Sequence, residues 1–255
     1  MSEGARRSVS LYAAGVRVVA GRELKAYFTS PVAYAYAAVF LVVSCSAFMN
    51  DFFLRSVAEL GAYFERLPFL LLAFGPTITM GVWAQEYAHG TVEFILTLPL
   101  TAGQIVLGKY LAAVAYYVLT LAGTLPLVAM VVSLGEPDLG QIAAAYVGAG
   151  LLGALFIAFG MFLSSLTRDQ IVAFVLAALV GFLYVFTGHE LVVAVLDGLA
   201  PAWQTGTRMY TYVSALPHYQ TFVRGAIGLA DSAYFLLLSA FYLWLNCLVL
   251  YRRRC

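Results

Sequence analysis

Three patterns in this chain use residue types from which chemistry is built, and each fails on spacing or context. Gly103-Gln-Ile-Val-Leu-Gly108-Lys109 follows the G-x-x-x-x-G-K frame of a phosphate-cradling loop. Its next residue is Tyr110, where a magnesium-holding loop needs Ser or Thr, and no strand-like run precedes it. The frame reads as a coincidence at the start of a membrane helix. His89, His189 and His218 are far apart, and the chain has neither an H-E-x-x-H nor a G-x-S-x-G sequence, so each histidine reads as a loop or interface residue. Cys45, Cys247 and Cys255 show no metal-type spacing and no disulfide framework. Val42-Val-Ser-Cys45 resembles a lipoprotein cleavage box, but it lies far from the N-terminus and more apolar runs follow it. No metal site is expected, and no catalytic residue is assigned to this chain.

The elements that must carry any function are membrane spans. Of the 255 residues, 63% are hydrophobic and 11% are charged, against about a quarter charged in an ordinary soluble domain. A soluble core of this size cannot hide so much apolar surface, so lipid is the expected solvent. Six runs approach the length needed to cross a bilayer: 31–49, 68–83, 105–132, 139–166, 171–186 and 233–251. Their ends carry start signals. Ser30-Pro31 and Pro68 place proline at a first helical position. Thr101-Ala-Gly-Gln104 has the form of a capping box, Asp138-Leu-Gly-Gln141 does a similar job, and Asp231-Ser232 can cap the sixth run.

Charge placement sets the orientation. With both termini in the cytoplasm, ten basic residues lie inside, among them Arg17, Arg22, Lys25, Lys109 and Arg252, and four lie outside: Arg55, Arg66, Arg208 and Arg224. That imbalance favours both ends inside, and an even number of spans is consistent with that. The fold class expected is an all-α membrane protein with six transmembrane helices. Three parts follow: a cytoplasmic amphipathic segment at 1–30, a six-helix transmembrane domain at 31–251 and a basic tail at 252–255. In the first, Val16, Ala20, Leu24 and Tyr27 share a face over 9–28, with basic residues suited to anionic lipid headgroups. Glu23 falls beside that apolar stripe. Either it reaches back to water or it meets a partner or another loop.

None of the six runs holds Asp, Glu, Lys, Arg or His away from its ends. Ion-coupled carriers usually place such groups in the bilayer to bind or relay the driving ion. The absence argues strongly against proton coupling and less strongly against sodium, which backbone carbonyls at a broken helix can bind. Energy for uphill movement is therefore expected from outside the membrane. Gly75-Pro76 and Pro126 can kink their helices. Thr77, Thr79, Thr120 and Thr124 either line a mildly polar route or satisfy carbonyls freed by those kinks. Gly148, Gly150, Gly153 and Gly160 suit close packing of the fourth span. The aromatic-rich stretch between the fifth and sixth runs predicts one or two short helices against the outer leaflet, or a small loop domain.

The loop between the second and third spans is the most informative stretch. Gly90 breaks the preceding segment, and Glu93 suits the third position of a new helix. That helix, 91–98, carries Phe94, Ile95 and Leu98 on one side and ends at Pro99. A short helix between two stops suits force transfer from a soluble partner, although an ordinary interfacial helix reads the same way. Gln85-Glu86, Gly90-Thr91, Glu93, Leu96-Thr97, Pro99 and Gly108-Lys109 together resemble the corresponding loop of ABC-2 type transporter permeases. The stretch from Gly21 to Tyr34 and the later Pro217-His-Tyr, Phe222, Arg224-Gly225 and Asp231 resemble one branch, the permeases associated with bacterial gliding motility.

The resemblance implies a half-transporter in the bacterial inner membrane. Its loop helix would couple to a separate ABC ATPase subunit, which would bind ATP and magnesium; this chain itself would need no cofactor. A second permease subunit, identical or related, is implied as well. Lipids are expected neighbours, an extracytoplasmic auxiliary protein is an optional one, and nucleic acid is not expected. Export of an unidentified substrate is the expected direction. Arg22, Glu23, Gln85, Glu86, Gly90, Thr91, Glu93 and Pro99 are the expected contact and coupling residues. The alternatives are an ion-coupled secondary carrier and a scaffold subunit that transports nothing.

Overall fold

The computed structural model describes residues 3–55, 59–92, 99–199 and 204–254, in which helices are joined by short turns and no strand occurs. In chain order the helices are α1 (Glu3–Thr29), α2 (Pro31–Arg55), α3 (Gly61–Thr79), α4 (Gly81–Ala88), α5 (Ala102–Ala122) and α6 (Leu125–Leu134). They continue with α7 (Leu139–Ser164), α8 (Gln170–Phe186), α9 (Glu190–Leu199), α10 (Thr205–Tyr212), α11 (Leu216–Val223) and α12 (Leu229–Arg254). Among the described residues five segments are long and apolar enough to cross a membrane: α2, α3 with α4, α5 with α6, α7, and α12. A sixth exists if α8 and α9, bent by 84° across the break at 187–189, count as one broken span.

The centre of the bundle is α7, which packs against α3, α4, α5, α8, α11 and α12. Two thirds of its most apolar window is buried, against 22% for α12, so α7 is the helix the others surround. Its small residues explain why. A Cβ at Gly148 would meet Phe222, one at Gly153 would fall on the Tyr117 ring, and one at Gly160 on Thr79; Gly150 faces open space. Close approach of backbones replaces the hydrophobic drive that lipid cannot supply.

Several starts match the sequence expectation. Thr101 and Gln104 form the reciprocal capping box at α5, and Asp138 receives the Gly140 and Gln141 amides at α7. The Gln141 side chain does not reach back to its cap; it donates to the Val223 carbonyl instead. Asp169, which the sequence pattern did not single out, caps α8 through the Ile171 and Val172 amides.

Other starts differ. Pro68 lies inside α3, not at its first position, because the helix begins at Gly61 and carries Glu65 and Arg66 in its early turns. A proline in a helix frees the carbonyl four residues back, and here the Tyr219 hydroxyl donates to that carbonyl, on Phe64, at 2.9 Å. Likewise Asp231 sits within the first turn of α12, where it pairs with His218 at 2.6 Å and does not cap the helix from outside. Three short helices, α9, α10 and α11, occupy the stretch where one or two were expected.

The kinks fall where proline allows. The second span is interrupted at Met80, four residues after Pro76, and the third at Gly123–Thr124, just before Pro126. The threonine hydroxyls bond to their own helices: Thr77 donates to Ala73, Thr79 to Gly75, Thr120 to Tyr116 and Thr124 to Leu121. None of these is the carbonyl four residues before Pro76 or Pro126, Thr124 also meets the Tyr146 hydroxyl at 2.8 Å, and Thr77 lines a cavity beside the break.

Candidate functional site: an ion cluster at the root of the loop

The amphipathic segment lies along α5, and small residues set how near it comes. A Cβ at Gly108 would meet Val19, one at Gly15 would meet Gln104, and one at Gly103 would meet the Tyr12 hydroxyl. Gln104 fastens three parts together. Its Oε1 accepts from the Thr101 amide at 2.8 Å and the Thr101 hydroxyl at 3.1 Å, while its Nε2 donates to the Tyr12 carbonyl at 3.2 Å. The end of the loop, the start of α5 and the middle of α1 therefore hold one another in place.

That alignment brings Glu23 opposite Lys109. The Lys109 side chain is 2% exposed, and its ammonium sits 2.6 Å from Glu86 Oε1, 3.3 Å from Glu23 Oε1 and 3.4 Å from the Val82 carbonyl. It also lies 5.0 Å from the centroid of the Trp83 ring, within cation–π range. Arg22 completes the cluster from the solvent side, donating to Glu23 Oε1 at 2.6 Å. Burial alone would raise the Glu23 carboxyl, but the Lys109 ammonium and the Arg22 guanidinium outweigh it and hold the group below its ordinary value. A buried ammonium persists only when paired this well. Three helices, α1, α4 and α5, thus share one charge cluster. Glu23 meets another segment of the chain, which decides between the two readings left open by the sequence.

The break at Met80 is held from α7. Ser164 Oγ accepts from the Trp83 and Ala84 amides, each at 3.2 Å, and donates to the Met80 carbonyl at 3.0 Å. These amides begin α4, so Ser164 fixes the short helix that carries Gln85 and Glu86. Nothing in the sequence pattern marked Ser164, because a serine near the end of a glycine-rich helix has no distinctive spacing. Lys109 did stand out, first as part of a failed phosphate-loop frame and then as a motif residue. Its structural partners are 23 and 86 positions away in different segments, and no local pattern records that.

The remaining expected residues lie around the loop. Gln85 is exposed, and its carbonyl accepts from the His89 amide. Gly90 has φ +69°, a left-handed conformation that ends α4 and suits glycine. The Thr91 hydroxyl closes that turn by donating to the Glu86 carbonyl at 3.3 Å, and Pro99 is exposed beyond it. Glu93 and the rest of the expected coupling helix, 93–98, fall outside the described residues. The structure therefore brings Arg22, Glu23 and Glu86 together around Lys109, and places Gln85, Gly90, Thr91 and Pro99 along the chain that leaves and returns.

The family described as ABC-2 family transporter protein matches residues 62–252, about three quarters of the chain. The chain belongs to the ABC-2 transporter family. Its place there is that of a transmembrane permease subunit, a multi-pass membrane protein, and the family in general works with an ABC ATPase. Among curated proteins no match is found. The matched range contains Glu86, Lys109 and Ser164; Arg22 and Glu23 precede it.

Proposed function

We propose that this ABC-2 permease couples ATP hydrolysis by a separate ATPase to export across the bacterial inner membrane, and that the Lys109 cluster carries the motion inward. Two copies, identical or related, enclose the pathway. Each docks an ATPase through the 91–98 segment and α1, with both termini in the cytoplasm. When the ATPases close, force enters at the loop. It then passes through the Gly90 turn to Glu86 and from there, by way of Lys109, to α5 and Glu23 together.

The observation that carries this reading is the cluster itself. One buried ammonium ties the helix entering the loop, the helix leaving it and the amphipathic helix beneath, so none of the three moves alone. The spans' lack of central ionisable residues supports an external energy source. The narrower kinship with gliding-motility permeases rests on the motif residues around Gly21–Tyr34 and Pro217–Asp231, and it is part of the proposal.

The test is Glu93→Lys in the complex with its ATPase. Stimulated ATP turnover is expected to vanish while membrane insertion stays intact. Turnover equal to wild type would remove the 91–98 segment from the coupling route.

A further inference from the structure

A cavity of about 430 Å³ opens between α1, α2, the α3–α4 break and α5, beside the ion cluster. Its lining combines charge and aromatic rings. It includes Glu23, Glu86 and Lys109 of the ion cluster. It also includes Tyr27, Tyr36 and Tyr116, with the Tyr27 and Tyr116 rings stacked 4.8 Å apart. Val32, on its wall, is 66% exposed at the start of the first span, so the cavity adjoins the bilayer surface.

Two lining groups have hydrogen-bonding capacity to spare. Glu86 Oε2 is buried and meets no hydrogen-bond partner, because Lys109 bonds to Oε1 only. Tyr36 is 7% exposed, and its hydroxyl is likewise buried and unpartnered. A buried polar atom without a partner costs about 1–3 kcal/mol, which a bound group can recover. Arg22 and Lys109 leave Glu86 Oε2 free, that oxygen and the Tyr36 hydroxyl can accept, and tyrosine faces attract cations. We infer that this cavity binds an amphiphile with a cationic amine head, taken from the leaflet that α1 lies against. The ammonium sits between Glu86 and the tyrosine rings, and the chain follows the apolar wall toward Val32. This binding needs no nucleotide, so it stands or falls apart from the ATP-coupled reading.

Bromine quenching of tryptophan tests it. The full chain with Trp203→Phe and Trp244→Phe keeps only Trp83, whose ring lies 5.0 Å from the Lys109 ammonium that lines the cavity. In phosphatidylcholine vesicles without ATP, 3-bromoundecylammonium, whose bromine stays close to the head and so to Trp83, is titrated beside 3-bromoundecanoate and 3-bromopropylammonium. Saturable quenching is expected from the long amine alone. Its half-saturating concentration should rise about tenfold in Glu86→Gln, the loss of one charge-assisted contact, and by a smaller factor in Tyr36→Phe, which removes only a hydroxyl. Equal quenching by amine and carboxylate, or saturable quenching by the short amine at the same concentration, would overturn the proposal. So would wild-type titration curves in both variants.

Discussion

Lys109 is held by two carboxylates and one carbonyl in a space from which water is almost excluded, and removing any member leaves the others mismatched. Lys109→Met is expected to destabilise the protein by about 3 kcal/mol, since it leaves Glu86 and Glu23 facing each other partly buried. Adding Glu86→Leu should recover part of that loss, because removing both charges is much cheaper than removing one. Thermal unfolding of the two variants in detergent checks both statements; a double mutant no better than the single one would contradict them. Acidity probes the same cluster. The Glu23 carboxyl is held below its ordinary value in the folded protein, so its stabilising contribution is present at neutral pH and above. It is lost only as pH falls below the ordinary carboxylate range and through the lowered value. Protection of the α1 amides from hydrogen exchange should therefore weaken at acid pH in the wild type, and Glu23→Gln should show weaker protection already at neutral pH. Protection that is the same in both at every pH would detach Glu23 from the clamp.

Helix packing depends on the absence of side chains at a few places. Gly153 lies under the Tyr117 ring and Gly108 under Val19, so neither site has room for a branched side chain. Gly153→Val is expected to lower stability by about 1–3 kcal/mol through overpacking. Gly150→Val, one turn away in open space, should cost far less. Comparing the two melting temperatures checks the packing directly, and equal losses would contradict it. The same contrast explains what a reader of the sequence can see. Thr101, Asp138 and Gly90 act within a few residues of themselves, so their caps and turn were legible. Pro68 looked like a helix start because the charged Glu65 and Arg66 hid about two more turns of helix before it. Its place inside α3 is tolerated because Tyr219, 155 residues beyond Phe64, satisfies the freed carbonyl. Ser164 and the Lys109 cluster were invisible for the same reason: their partners are distant in sequence, and only the fold sets their spacing.

At the scale of the whole molecule, hydropathy and charge described a bundle of helices, and the structure places an Ala- and Gly-rich helix at its centre. The polar groups inside that bundle are mostly hydroxyls already committed to backbone carbonyls. A cluster of charge lies where α1, α4 and α5 converge, between Gly90 and Thr101. On this account energy enters there and not from an ion crossing the membrane. The most direct measurement places an environment-sensitive fluorophore at Ala88→Cys, exposed at the end of α4, with Cys45, Cys247 and Cys255 replaced by Ser. The chain and its ATPase are reconstituted together in vesicles. The account predicts a fluorescence change on adding ATP with no ion gradient present, abolished in Glu93→Lys. A change driven by a proton or sodium gradient without nucleotide, and no response to ATP, would contradict it.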